Sequence, residues 1–196
     1  MREAKKTKVL EAAEAAFLRY GYRRVTMGDI ASAAGISRPA LYIHFCNKET
    51  IFQGVLRAFM ARTLEELRAG LAAQPTAEAK LRFAFEVWAV RPFGLLSATP
   101  DAKELVDCGF AFARGAIDEG AQAFEAELAA ILAPLGEGAA LPDPAQMARI
   151  LSRAVQGFKQ TAASTEELGA LIEGLLGMVL PSLGPGHTEA DAEALP

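Results

Sequence analysis

Three helix starts are written into the run TMGDIASAAGISRPALYIHFCNK, residues 26–48, and their closeness constrains the fold more than any other feature of the chain. Thr26 offers a hydroxyl to the free amides of a first helical turn, and Asp29, three positions on, completes a capping-box pattern. Met27, Ile30, Ala31 and Ala34 form the inner face of that helix, and Gly35 is its stop. Ser37 caps the next helix, whose first turn holds Pro39, where a missing N–H has no intrahelical partner to lose. Leu41 and Phe45, one turn apart, point inward together and leave Arg38, Ala40, Tyr42, Ile43 and His44 on the remaining surface. Asn47 caps a long helix that starts at Lys48 and runs through Ile51, Val55, Phe59 and Leu67 to about Gly70.

The rest of the chain also reads as helix. Val9, Ala13, Ala16, Phe17 and Tyr20 make one apolar stripe on a helix that stops at Gly21. Residues 76–90 are helical, with an end or bend expected at Arg91 and Pro92. Thr99 and Pro100 have the form of a cap and first residue, a long helix follows through residues 109–132, and LGEGAALPDP reads as a loop. Asp143, Pro144 and Gln146 open a helix that carries Met147, Ile150, Leu151, Ala154, Val155 and Phe158, and Ser164 with Glu167 opens the last one. That last helix has apolar residues on more than one stripe, so it is expected to be covered both by its own core and by a second copy of the chain. The interface candidates are Met147, Leu151, Val155 and Phe158 on one helix and Leu168, Leu171, Ile172, Leu175 and Val179 on the other. Gly169, Gly174 and Gly177 would permit close helix approach.

The formal net charge of −4 looks wrong for a partner of polyanions until it is divided along the chain. Residues 1–50 carry nine basic side chains against five acidic ones, a balance of +4 that leaves −8 for the remainder. No run of about 18 apolar residues is present to span a bilayer, and the N-terminal MREAKKTKVLEAAEAAF lacks the pattern of a signal peptide, so a cytoplasmic chain without membrane contact is expected. Cys46 and Cys108 belong to no CxxC or Cys/His cluster, which points away from a zinc site or disulfide framework; both are expected to be reduced and buried. With His44 and His187 as the only histidines and no phosphate-cradling glycine loop, the composition points away from catalysis, metals and cofactors.

Two short helices joined at Gly35 and Ile36 have the form of a helix-turn-helix, whose second helix can enter the major groove of duplex DNA. Arg38 can donate twice to a guanine and Ala40 can meet a thymine methyl, while Thr26, Ser37, Tyr42, His44 and Lys48 are placed to hold phosphates.

The run TMGDIASAAGISRPALYIHFCNKETIF resembles the DNA-binding domain of the TetR family of bacterial transcriptional regulators over about residues 5–55. The likeness rests on the threonine start, the IAxxAGIS turn, the LYxHF helix and the NKE cap, in that order. It implies an all-α fold, with a three-helix helix-turn-helix DNA-binding domain at residues 1–50, the fourth helix leading on from 48, and a helical-bundle ligand-binding and dimerisation domain at 51–183. Residues 184–196 read as a disordered tail. The resemblance further implies a homodimer on an inverted-repeat operator, released from DNA by an unknown small-molecule effector and usually repressing. It carries DNA contacts over to Thr26, Ser37, Arg38, Pro39, Ala40, Tyr42, His44 and Lys48. Gly28 departs from members with a base-reading side chain there, and Cys46 from members with proline or a polar residue. For the effector, Phe85, Trp88, Phe93, Phe112 and Phe158 are candidates to line an apolar cavity, with Arg91, Asp107 or Cys108 orienting the ligand. The alternative is a DNA-binding interaction protein of the same fold with no small-molecule effector.

Overall fold

A computed structural model of the chain describes residues 2–98, 111–135 and 143–183. The described residues form helices and no strand: α1 (Arg2–Tyr20), α2 (Met27–Ala33), α3 (Arg38–His44), α4 (Lys48–Leu71), α5 (Ala77–Phe85), α6 (Arg91–Ser97), α7 (Arg114–Leu132), α8 (Pro144–Thr161) and α9 (Thr165–Val179). The fold is all-α, with the helix-turn-helix at the N-terminus and a helical C-terminal part. The expected cap at Thr99 and Pro100, most of the loop before Asp143, and the expected disordered tail lie outside the described residues.

Local signals set most helix ends. Gly21 and Gly35 take the left-handed φ values of 75° and 66° that stop α1 and α2, and Ile36 N–H donates back to Ala31 O at 3.0 Å in the manner of a Schellman turn. Asp143 accepts from the amides of Ala145 and Gln146, and Ser164 from that of Glu167. Of the end or bend expected at Arg91 and Pro92, the end does not occur, and the helical path continues through an irregular turn. A π-helical turn over Glu86–Val90 joins α5 to α6, and Arg91 N–H donates five residues back to Glu86 O. The wider turn precedes a proline that a regular helical ladder would exclude, because its ring clashes and its N–H is missing.

The chain packs as two compact units, residues 1–62 with 94–120 and residues 63–93 with 121–196. The first unit thus takes in more of the chain than the 1–50 segment marked by the sequence. Its core joins Val9, Ala13 and Phe17 of α1, Ile30 and Ala31 of α2, Leu41 of α3, and Ile51, Phe52 and Val55 of α4. Aromatic edges knit that core, with Tyr22 and Phe17 both against Phe52 at centroid distances of 4.9 and 5.5 Å. Gly54 is where α4 meets α1, since a Cβ there would lie 2.8 Å from Leu10 Cδ2.

In the second unit Leu81, Phe85, Phe124, Leu128, Leu151, Leu168 and Leu176 are among the core residues. Trp88 stacks on Phe124 at 4.7 Å and Phe85 meets the same ring edge-on at 5.6 Å. Gly70 lies against the ring of Phe83, and a Cβ added to it lands on that ring. Gly70→Ala is therefore expected to destabilise the protein by about 1–3 kcal/mol, the usual cost of overpacking, measured as a lower urea midpoint with an unchanged slope.

Candidate nucleic-acid interface

At the start of α2 the expected capping box is fully formed. Thr26 N–H and Oγ1–H donate to Asp29 Oδ2 at 2.9 and 2.7 Å, and Asp29 N–H donates to Thr26 Oγ1 at 3.2 Å. These bonds, the side-chain one first, hold the Asp29 carboxyl below the ordinary aspartate range. They also occupy the hydroxyl proton of Thr26 that sequence reasoning directed at phosphate. Ser37 Oγ accepts from Ala40 N–H at 3.3 Å and starts α3, with Pro39 as its second residue.

Four rows of side chains, each pairing residues four apart, run along α3. Leu41 and Phe45 are buried and anchor the helix. Arg38 and Tyr42 form an exposed row on one flank, Ala40 and His44 a half-buried row on the other. Opposite the anchor stand Pro39 and Ile43, and Ile43 is 71% exposed. Arg38 has no hydrogen-bond or ion-pair partner among the described residues, so its donors are available to a ligand. A Cβ added to Gly28 would lie 3.9 Å from Arg38 Cδ, an ordinary van der Waals separation, so α2 runs beside that side chain without crowding it. His44 is placed differently from expectation, because its Nδ1 is buried without a partner among the described residues and only the rest of the ring can face a phosphate.

Lys48 has a role that the sequence did not reveal. Its ammonium donates to Tyr22 O at 2.8 Å, Val25 O at 2.9 Å and Arg23 O at 3.4 Å, and lies 4.2 Å from the centre of the Tyr22 ring. The cation expected at phosphate is thus directed onto the α1–α2 loop. Beside it, Thr50 N–H and Oγ1–H donate to Asn47 Oδ1, both at 2.8 Å, so the cap of α4 is as expected. Because the Thr50 hydroxyl proton goes to Asn47, the 3.2 Å contact between Cys46 Sγ and Thr50 Oγ1 is donated by the thiol. Cys46 is exposed, against the expectation of burial, since it follows the inward Phe45 and faces away from the core. Cys108 lies outside the described residues.

The residues expected to line an effector site are not gathered into one wall. Phe85 and Phe93 are buried in the second unit, with Trp88 and Phe158 packed partly buried against the same core. Phe112 belongs to the first unit, where its ring lies 5.5 Å from Tyr22 and 5.9 Å from Phe52. Asp107 and Cys108 are outside the described residues, and Arg91 is an exposed partner of Glu66 and Glu86. A shallow cleft of about 240 Å³ is lined instead by Leu71, Ala72, Lys80, Glu127, Ala130 and Ile131. Sequence reasoning also missed Lys159, one turn after Val155 on α8. Burial lowers its pKa, and it has no partner among the described residues.

The expected dimer face needs correction. Met147, Leu151, Val155, Leu168 and Ile172 are buried in the core of their own unit, so they are not free for a partner. Phe158, Leu171, Leu175 and Val179 are half-buried, and outward apolar surface is added by Ile150 at 53% and Met178 at 74% exposure. Two stripes result, with Ile150, Ala154, Gly157 and Phe158 on α8 and Leu171, Gly174, Leu175 and Met178 on α9.

The model of the bacterial regulatory proteins of the tetR family matches residues 9–55, the span that holds the capping box, the turn, α3 and the Lys48 clamp. Over residues 9–55 the chain is similar to the tetR family. The HTH-type transcriptional regulator TtgR of Pseudomonas putida is 46% identical over 56 residues, which cover 28% of this chain and 27% of TtgR. The match therefore spans about a quarter of that relative's length. Among solved structures, a transcriptional regulator from Cytophaga hutchinsonii superposes with a TM-score of 0.74 at 22% identity, covering 88% of this chain and 95% of its own. The regulator FadR from Bacillus subtilis, in complex with stearoyl-CoA, superposes with a TM-score of 0.61 at 21% identity, covering 90% and 98%. These likenesses show that the chain shares the fold of those structures over the C-terminal helices as well.

Lys48→Met is expected to cost about 1.5–3 kcal/mol of folding stability, because charge-assisted bonds to the carbonyls of Tyr22, Arg23 and Val25 are lost, as measured by urea unfolding. A variant of unchanged stability that only binds DNA less would assign Lys48 to phosphate instead. Asp29, lowered in the folded state, stabilises above its unfolded pKa and loses that contribution as pH falls through the folded value. Unfolding of Asp29→Asn is expected to be less steeply pH-dependent than wild type from about pH 4 downward.

Proposed function

We propose that the chain is a ligand-responsive, sequence-specific DNA-binding transcriptional regulator, a repressor that leaves an inverted-repeat operator when a small apolar or amphipathic effector binds. The observation that carries this reading is Arg38, without a partner among the described residues, on the exposed side of a helix whose other side is buried and clamped. A guanidinium held in that way can reach guanine O6 and N7 in a groove about 12 Å wide. Exposed Tyr42, the hydroxyl of Ser37 and the amides at the helix starts are suited to phosphate, while Thr26 acts first as a cap.

The dimer in this proposal uses the outward stripes of α8 and α9. Among the described residues, nothing beyond the adjoining stretch of the same helix lies within 4 Å of a Cβ added at Gly157, Gly174 or Gly177, which leaves room for a partner helix to approach closely. Two linked recognition helices bind with an avidity that depends on their separation, and α4, which contributes to both units, is the element through which an effector would alter it. The stearoyl-CoA in the FadR relative supports an amphipathic effector. A second reading drops the effector and keeps DNA binding with a protein partner. It is favoured by the Trp88, Phe85 and Phe124 rings, which fill space against one another.

Selection of bound sequences from a random duplex pool by the full-length protein, with light scattering, tests the proposal. An enriched inverted repeat bound by a dimer and released by an acyl-CoA is the expected result. A folded protein that enriches no sequence contradicts it, and an enriched repeat that no apolar or amphipathic compound releases moves the second reading ahead.

A further inference from the structure

We infer that the cleft lined by Leu71, Ala72, Lys80, Glu127, Ala130 and Ile131 is a binding site for a small monocarboxylate, an aromatic or short-chain acid whose carboxylate pairs with Lys80. All six residues belong to the second unit and come from the end of α4, the first turn of α5 and the last two turns of α7. The ion pairs of that unit leave Lys80 out. Arg68, Arg82, Arg91, Arg149 and Arg153 each have a carboxylate within 4 Å. Lys80 is half-buried and has no partner among the described residues, although Glu127 shares its cleft. Glu127 is already engaged, since Arg68 holds its Oε1 through Nε at 2.8 Å and Nη2 at 2.7 Å. Lys80 is also the fourth residue of α5, at the end of a helix where the dipole disfavours a cation. Neither an ion pair nor the helix accounts for an ammonium there, whereas an added anion would answer both.

The rest of the lining sets the class of ligand. Leu71 and Ile131 offer aliphatic carbon, with the methyl groups of Ala72 and Ala130 beside them. Around these carbons stand two cations, Lys80 and Arg68, against one carboxylate, so a single negative charge balances the cleft. A dianion would set its second charge against carbon or against Glu127, and a neutral molecule would cover Lys80 without pairing it. The volume of about 240 Å³ is below the roughly 300–1,000 Å³ of sites that enclose drug-sized ligands, which suits one ring or a short chain.

Chemical-shift titration of the full-length protein with benzoate, and with benzamide as its uncharged counterpart, tests the site. Wild type is expected to bind benzoate saturably and about tenfold more tightly than benzamide, the worth of one charge-assisted hydrogen bond. Lys80→Gln is expected to lose that preference and Lys80→Arg to keep it. Ala130→Trp, at an exposed position of α7, fills the cleft and is expected to bind neither compound. Urea unfolding establishes that each variant is folded. A folded wild type without saturable benzoate binding overturns the inference, as does a preference for benzoate that survives in Lys80→Gln or binding that survives in Ala130→Trp. None of these readings uses DNA, so the regulator proposal stands or falls separately, by its own selection experiment.

Discussion

A seven-residue helix does not persist alone in water, so whatever α3 presents depends on the contacts that hold it. From inside, Leu41 and Phe45 anchor it in the core of the first unit. From its C-terminal side the chain runs directly into Asn47 and Lys48, where one ammonium gathers three carbonyls of the α1–α2 loop. Since Val25 is next to the Thr26 cap, the same cation links the beginning of α4 to the beginning of α2. The two helices that flank α3 are thereby tied together across it, with Tyr22 and Phe52 packed below. The half-buried cation is compensated because its donors are met by carbonyl acceptors and an aromatic face.

On that support the surface of α3 divides by chemistry. Core, cationic and aromatic, apolar, and half-buried rows follow one another around the helix, and a groove-reading surface needs this separation of base-facing from phosphate-facing groups. The second unit is organised for other ends. Its core uses one stripe each of α8 and α9 and leaves a second apolar stripe with glycines facing outward. The rings of Phe85, Trp88 and Phe124 pack against each other within it.

The parts of this architecture that were legible in the sequence are those with short-range causes. Thr26, Ser37 and Asn47 each bond an amide three residues away, and the positive φ of Gly35 serves a turn of its own neighbours, so a local pattern identifies them. Lys48 was legible as a cation but not as a clamp, because its carbonyl partners lie 23 to 26 residues earlier and any backbone carbonyl looks alike in sequence. Helical periodicity likewise showed that α8 and α9 are apolar on more than one side without showing which side the protomer uses, and Leu151 and Ile172 proved to be its core. Phe112 and Trp88 look equivalent as aromatics, yet the chain returns Phe112 to the first unit. Pro92 reads as an end or a bend, and the π-helical turn before it lets the helix continue.

Methylation interference with dimethyl sulfate on an enriched duplex tests the central claim, that α3 reads the major groove from a clamped position in each of two protomers. The account predicts that methylation at guanine N7, in the major groove, blocks binding in two half-sites whose centres are about 10 base pairs or a multiple apart. Interference confined to adenine N3, in the minor groove, or present in one patch only, would contradict it.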